Sequence, residues 1–411
     1  MPRRPRPLLT VSAVLSALTV LAAPLALGGT HWPTILALSG LALAAMLAAV
    51  AARRDGLRSH WIVWVAWAVA ALVGAQLIPL PAGLLHHLSP RAAELHAAAG
   101  SASGPLSLSA PATWIAFALQ VGFAALLTAV VQLDRRRGRW VADGLAVGGL
   151  AVVLVSAVHF AFGFHTIYGV FRPQDAAQMS GFFGPFINPN TQAGYLVLVG
   201  LVGLGIAVDA TSDRRTRLGL AAAVFALLGA MASGSRGGQA AALFGGLLFA
   251  GLAYLRGQHR GDNTREKARQ VAKATVALLA LGGVAAVLLL PDWMAFDPSH
   301  PASDGKLAAW PGAVAHARAF WLAGSGRGAF EYVHPLFQSV SGQGTVTHPE
   351  NHLLQLAADL GLPLAIATVA AFVGAWIDAV RRLDRRTAPA VWGVLAGLAA
   401  VGCQQLVDFG L

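Results

Sequence analysis

Seven consecutive residues, Ser233-Gly234-Ser235-Arg236-Gly237-Gly238-Gln239, have the composition of an oxyanion-binding turn. Their glycines and serines make a tight hairpin and leave backbone N–H groups open to close approach. Arg236 adds a planar fork that matches phosphate oxygens. A second stretch, His348-Pro349-Glu350-Asn351-His352, sets two imidazoles around a carboxylate. Groups of this kind move protons, so Glu350, with His348 or His352 as the alternative, is the candidate general base. Glu350 alone also has a structural reading, since an acid at a helix N-terminus contributes ~0.3–1 kcal/mol. The two histidines resemble metal ligands in spacing, but Pro349 opposes the helix that would align them, and no metal is expected.

Three further segments supply polar contacts. Arg327 lies in Gly324-Ser325-Gly326-Arg327-Gly328 and is a candidate second phosphate contact, as is Arg172. No strand precedes this glycine-rich loop, so a dinucleotide site is not supported, and the glycines are expected to bend the chain back toward the membrane. Gly184-Pro185 and Asn188-Pro189-Asn190 read as turns, with Asn190 or Thr191 expected to cap the next helix. Asn188, Asn190 and Asn351 are candidates for hydrogen bonds to sugar hydroxyls or phosphate oxygens.

The elements that must position these residues are membrane spans. The chain is 56% hydrophobic and 11% charged, far from the quarter charged residues of a soluble domain. Its apolar runs last about 20 residues, the length that crosses a ~30 Å hydrocarbon layer. Candidate spans fall at about 8–29, 32–51, 61–81, 112–133, 140–162, 190–209, 218–233, 239–255, 271–290, 353–378 and 390–411. The expected fold is therefore all-α and polytopic, about eleven transmembrane helices in one membrane domain over residues 1–411. The first apolar run is expected to be a retained helix rather than a cleaved signal peptide, because a second span follows at once.

Charge fixes the orientation. Of the 29 Lys and Arg, all but Arg91, Arg172, Arg236, Lys306, Arg318 and Arg327 fall on one set of connections, in clusters that alternate strictly with the spans. That set is expected to be cytoplasmic. The net charge of +11 is spread over these clusters, so nucleic acid is not an expected partner. The opposite face carries the long connections at about 82–111, 163–189 and 291–352, the last a large periplasmic loop. Cys403 is the single cysteine, which excludes an intrachain disulfide.

Four of these features, in this order, resemble the O-antigen ligase and polymerase family of bacterial inner membranes. They are Asn188-Pro189-Asn190 before a span, Ser235-Arg236-Gly237 in a hairpin, the loop of about 291–352, and Glu350-Asn351 with Leu354-Gln355 and Leu360-Gly361. Glu350 stands where many members have the proposed catalytic histidine. Family members also continue past the region of Val407-Asp408-Phe409, so the chain is expected to lack a last hairpin.

The resemblance implies a metal-independent glycosyltransferase, without a cofactor, at the periplasmic face of the inner membrane. Its donor would be a glycan on a polyprenyl diphosphate, held among membrane lipid. Its acceptor would be lipid A–core, a growing polysaccharide or a protein. The alternative is a transporter or flippase for the same lipid-linked glycan. A transporter places polar or broken helices near the midplane, and these spans hold few such residues, His159 being an exception expected to be packed or water-facing.

Overall fold

The computed structural model describes residues 7–53, 56–172, 182–258, 261–289, 301–338, 346–384 and 387–406. Gly181, Val407-Asp408-Phe409-Gly410 and parts of two long loops (173–181, 290–300 and 339–345) lie outside them. The first seven helices are α1 (Pro7–Leu25), α2 (Trp32–Ala52), α3 (Trp61–Ala75), α4 (Ala82–Leu88), α5 (Pro90–Ala98), α6 (Ala110–Gln132) and α7 (Arg135–Phe162). The next five are α8 (Pro189–Asp209), α9 (Asp213–Ala232), α10 (Arg236–Gly257), α11 (Asp262–Leu289) and α12 (Pro301–Ala319). The last are α13 (Phe330–Val333), α14 (His352–Leu360), α15 (Leu362–Arg381) and α16 (Ala390–Gln404). Among the described residues, β pairing is confined to two isolated bridges, Leu80 with Gly104 and Ile167 with Phe171.

Among the described residues, eight helices (α1, α2, α6 to α10 and α15) are long and apolar enough to cross a membrane, and α3 and α16 are shorter apolar helices. The protein is thus an all-α, multi-pass membrane protein. One expected span is corrected. The run 353–378 is broken at Gly361, whose φ of 82° no helix sustains. The nine residues of α14 reach only about 14 Å, so α15 alone can cross.

The chain packs as two compact units. The first comprises Met1–Thr34, Leu133–Phe296 and Ile377–Leu411. Its centre is α8, buried without interruption from Leu196 to Val208 save Leu198. A helix that is apolar all round has to be enclosed on every side, and α7, α9, α10, α11 and α16 all pack against it. At its C-terminal end the buried carboxylate of Asp209 receives Arg135 at 3.5 Å, Arg139 at 3.4 Å and Arg215 at 3.3 Å. These pairs tie the ends of α7, α8 and α9 and employ three arginines of the basic clusters. His159 is packed, as expected: it is buried, and its Nε2 accepts the Tyr168 N–H at 3.3 Å.

The second unit comprises Ile35–Gln132 and Asp297–Trp376. Its apolar helices α3 and α6 pack together, with the Trp67 indole N–H donating to Thr128 at 3.1 Å. The long connections carry structure of their own. Helices α4 and α5 occupy 82–98, while α12, α13 and a 3₁₀ turn at His334–Phe337 occupy much of 301–337. Leu85, Ala92, Phe320, Ala329 and Val333 form one apolar core under these segments.

Candidate functional site

In the first unit, α10 begins at Arg236 because Ser235 caps it, its Oγ accepting the Gly238 N–H at 3.0 Å. Gly234, at φ 75°, makes the turn that precedes. Arg236 is exposed in the first turn of the helix. A cation there opposes the helix dipole, at ~0.3–1 kcal/mol, whereas a bound anion would draw on both the dipole and the guanidinium.

The asparagines near residue 190 have a different duty from the one expected. Asn188, not Asn190 or Thr191, caps α8: its Oδ1 accepts the Asn190 N–H at 2.8 Å, with Pro189 at the first helical position. The Asn190 carbonyl accepts Gln404 Nε2 at 2.9 Å. Gln192 is fully buried and internally engaged, its Oε1 accepting the Gly184 N–H at 2.6 Å and its Nε2 donating to Ser156 at 3.2 Å. Arg172 is exposed beside the bridge that closes on Phe171.

In the second unit the His348–His352 stretch leads into α14 from outside the helix. Asn351 is the cap, its Oδ1 accepting the Leu354 N–H at 3.1 Å. Glu350 therefore does not cap the helix. Its backbone instead sits at φ 52°, one of three described non-glycine residues with positive φ. Because α14 starts at His352, the two histidines do not share a helical face. Burial, reinforced by the Arg327 charge, pulls the His352 imidazole down to about 4. The charges of Glu350, Glu331 and Arg327 all act on His348.

Arg327 is drawn into this group by its loop. Gly324-Ser325-Gly326-Arg327-Gly328 folds against the end of α14, where the Ser325 and Gly326 N–H groups donate to the Ala358 and Asp359 carbonyls at 2.9 and 3.2 Å. Gly324 has φ 70°, and a Cβ there would stand 2.2 Å from the Asp359 carbonyl oxygen, so only glycine fits. The Arg327 guanidinium pairs with Asp359 at 3.0 Å. Gln76, which follows α3, ties both strands of the contact: its amide donates to the Ala323 and Asp359 carbonyls at 2.9 Å each and accepts the Arg327 N–H at 3.0 Å.

Asp359 and Gln76 were not singled out in the sequence. Asp359 had a signal: it is the one acid in the apolar run Leu353–Leu360, four residues after Gln355 and hence on the same helical face. Gln76 had none, since its partners lie about 250 residues away. A ring cluster was missed as well. His316 and His334, both fully buried, lie nearly parallel to Phe330, with centroids 5.2 and 4.5 Å away. The His316 Nε2 lies 2.9 Å from Ser325 Oγ. Burial first and His334 second push the His316 imidazole down to about 3, so it packs as a neutral ring.

The second unit thus brings Arg327, Glu350, His348, Asn351 and His352 into one electrostatic neighbourhood, while Arg236, Arg172, Asn188 and Asn190 belong to the first unit. Residues 221–369 match the family profile described as O-antigen ligase. No curated protein matches the chain.

Proposed function

We propose that the protein, whose residues 221–369 match the O-antigen ligase profile, transfers a glycan from a polyprenyl diphosphate to an acceptor hydroxyl at the periplasmic face of the bacterial inner membrane. One observation carries the reading. Arg236, Arg327, His348, Glu350, Asn351 and His352 all fall inside the matched segment, and Arg172, Asn188 and Asn190 fall outside it. Asn188 outside the segment is a helix cap, as is Asn351 inside it, and the charged and titratable candidates Arg236, Arg327, Glu350, His348 and His352 all lie inside it.

In the transfer the acceptor oxygen attacks the anomeric carbon and the bond from that carbon to the diphosphate oxygen breaks. The hydroxyl proton passes to a base, for which Glu350 is the first candidate and His348 or His352 the second. The diphosphate leaves with the bonding electrons, and an arginine stabilises the charge it gains. Arg236 has the geometry for that role, exposed at a helix start whose dipole also favours an anion. Diphosphate is a competent leaving group, so no metal or nucleotide is needed. Lipid A–core, a polysaccharide and a protein all present hydroxyls that fit this scheme.

The test is incubation of the purified chain with a polyprenyl-diphosphate glycan and each acceptor in turn. Glycan should move to one of them, and Arg236→Ala should abolish transfer while membrane levels stay near wild type. Arg236→Lys should recover little, because an ammonium cannot reproduce the planar fork. Movement of intact donor across the bilayer without transfer would replace this reading with transport.

A further inference from the structure

We propose that Asp359 is a positioning residue for the transfer reaction, a buried carboxylate that holds the Arg327 guanidinium and the Gly328 amide in one arrangement so that Arg327 meets the donor's diphosphate already oriented. The proposal rests on the transfer reading above.

Asp359 stands where stability alone would not put an acid. It is 1% exposed, and taking a carboxylate out of water is expensive. It is also the penultimate residue of α14, so its charge adds to the negative end of the helix dipole. Apolar residues of similar volume in place of a buried ion pair are commonly neutral or stabilising. The pair therefore calls for a reason other than stability.

Its contacts supply one. Oδ2 alone accepts three donors: Arg327 Nη1 at 3.0 Å, Gly328 N–H at 3.3 Å and Gln355 Nε2 at 3.0 Å. The Arg327 backbone is fixed separately, its N–H by Gln76 at 3.0 Å and its carbonyl by the Thr113 hydroxyl at 2.9 Å. With main chain and side chain both held, the guanidinium has a set direction, yet 15% of the Arg327 side chain remains exposed. A cation held on one side and open on the other is a preorganised receptor for an anion, because little conformational freedom is left to lose on binding. Gln76, by contrast, touches only backbone, and its duty is to hold the loop.

Asp359→Asn keeps the shape and removes the charge. In steady-state transfer it should raise the donor KM by about tenfold or more and change kcat by less than about threefold, the pattern of lost ground-state binding. Amide exchange should quicken about tenfold at Gly328, whose N–H donates to the carboxylate, while the Arg327 N–H, held by Gln76, and α14 stay protected. Combining Asp359→Asn with Arg327→Gln should add less than about threefold to the worse single variant, because the two act as one unit. Should Asp359→Asn fold poorly, the pair Arg327→Met with Asp359→Leu should keep the thermal midpoint at or above wild type and still show the raised KM. A wild-type KM in either variant, unchanged exchange at Gly328, or multiplying effects would each overturn the proposal. Absence of transfer by the wild-type chain would instead sink the functional reading, and the exchange measurement would still decide whether Asp359 fixes the loop.

Discussion

Glu350 holds its backbone at φ 52°, a region where a side chain other than glycine's or asparagine's is uncommon and where strain of ~1–3 kcal/mol is stored. The helix start does not require this, because Asn351 already caps α14. Strain kept at a carboxylate whose charge acts on the His348 imidazole supports its role as the base. Glu350→Gln preserves the shape and removes the basic oxygen, so transfer should fall by about 10²–10⁴-fold. Near-wild-type transfer by Glu350→Gln, with His352→Ala dead, would move the base to the histidine. A base has to be neutral imidazole, and His352 is protonated only as pH falls through about 4. Activity resting on His352 should therefore persist from pH 7 to pH 5, unlike that of a solvated imidazole near ~6.5.

At the scale of elements, the glycine-rich loop and the break after α14 are one device. Gly324 reaches the Asp359 carbonyl, and Gly361 reaches the Leu322 backbone, where a Cβ would stand 2.6 Å from main-chain atoms. Each glycine lets the other segment's backbone come close enough for the hydrogen bonds between them. Gly324→Ala should consequently do more harm than Gly100→Ala. Gly100 also has positive φ, at 84°, but nothing lies within 4 Å of its Cβ position. A left-handed alanine costs about 1–2 kcal/mol, which is the whole of the Gly100 effect. Gly324→Ala adds displacement of the main chain, so its thermal midpoint in detergent should fall further and its transfer activity with it. Equal midpoints for the two variants would show that the loop yields without strain.

For the molecule as a whole, the orientation expected from the arginine clusters is open to direct test. If 134–139 is the inner side, the start of α7 is cytoplasmic and the α4–α5 connection periplasmic. With Cys403, an exposed thiol, replaced beforehand, a cysteine at Ser101 should react with an impermeant thiol reagent applied from the periplasm. A cysteine at Gly138 should react only after the membrane is opened. Both positions are suited to the test, since nothing lies within 4 Å of a Cβ at Gly138 and Ser101 is exposed. Labelling of Gly138 from outside would invert the topology and remove the periplasmic site.

Composition and apolar run length were enough to determine an all-α membrane protein, because a ~30 Å apolar layer imposes one length on every span. The helix caps were less legible: Asn190 or Thr191 was expected to cap α8 and Asn351 to contact substrate, whereas Asn188 caps α8 and Asn351 caps α14. Arg236 in its hairpin needed no partner to be recognised, since its signal lay in adjacent residues. What the tertiary structure decided was which polar groups are spent internally. Asn188 looks like a ligand for a sugar until its oxygen is seen to accept a backbone N–H group. Arg327 looks like a lone phosphate contact until Asp359 is found 3.0 Å away, thirty-two positions along the chain. The nine-residue α14 reads as the start of a span until Gly361 turns the chain. Hydrophobic periodicity reports which face of a segment leaves water. It carries no record of which distant donor meets which acceptor, and in this protein that pairing separates the residues that bind from the residues that hold.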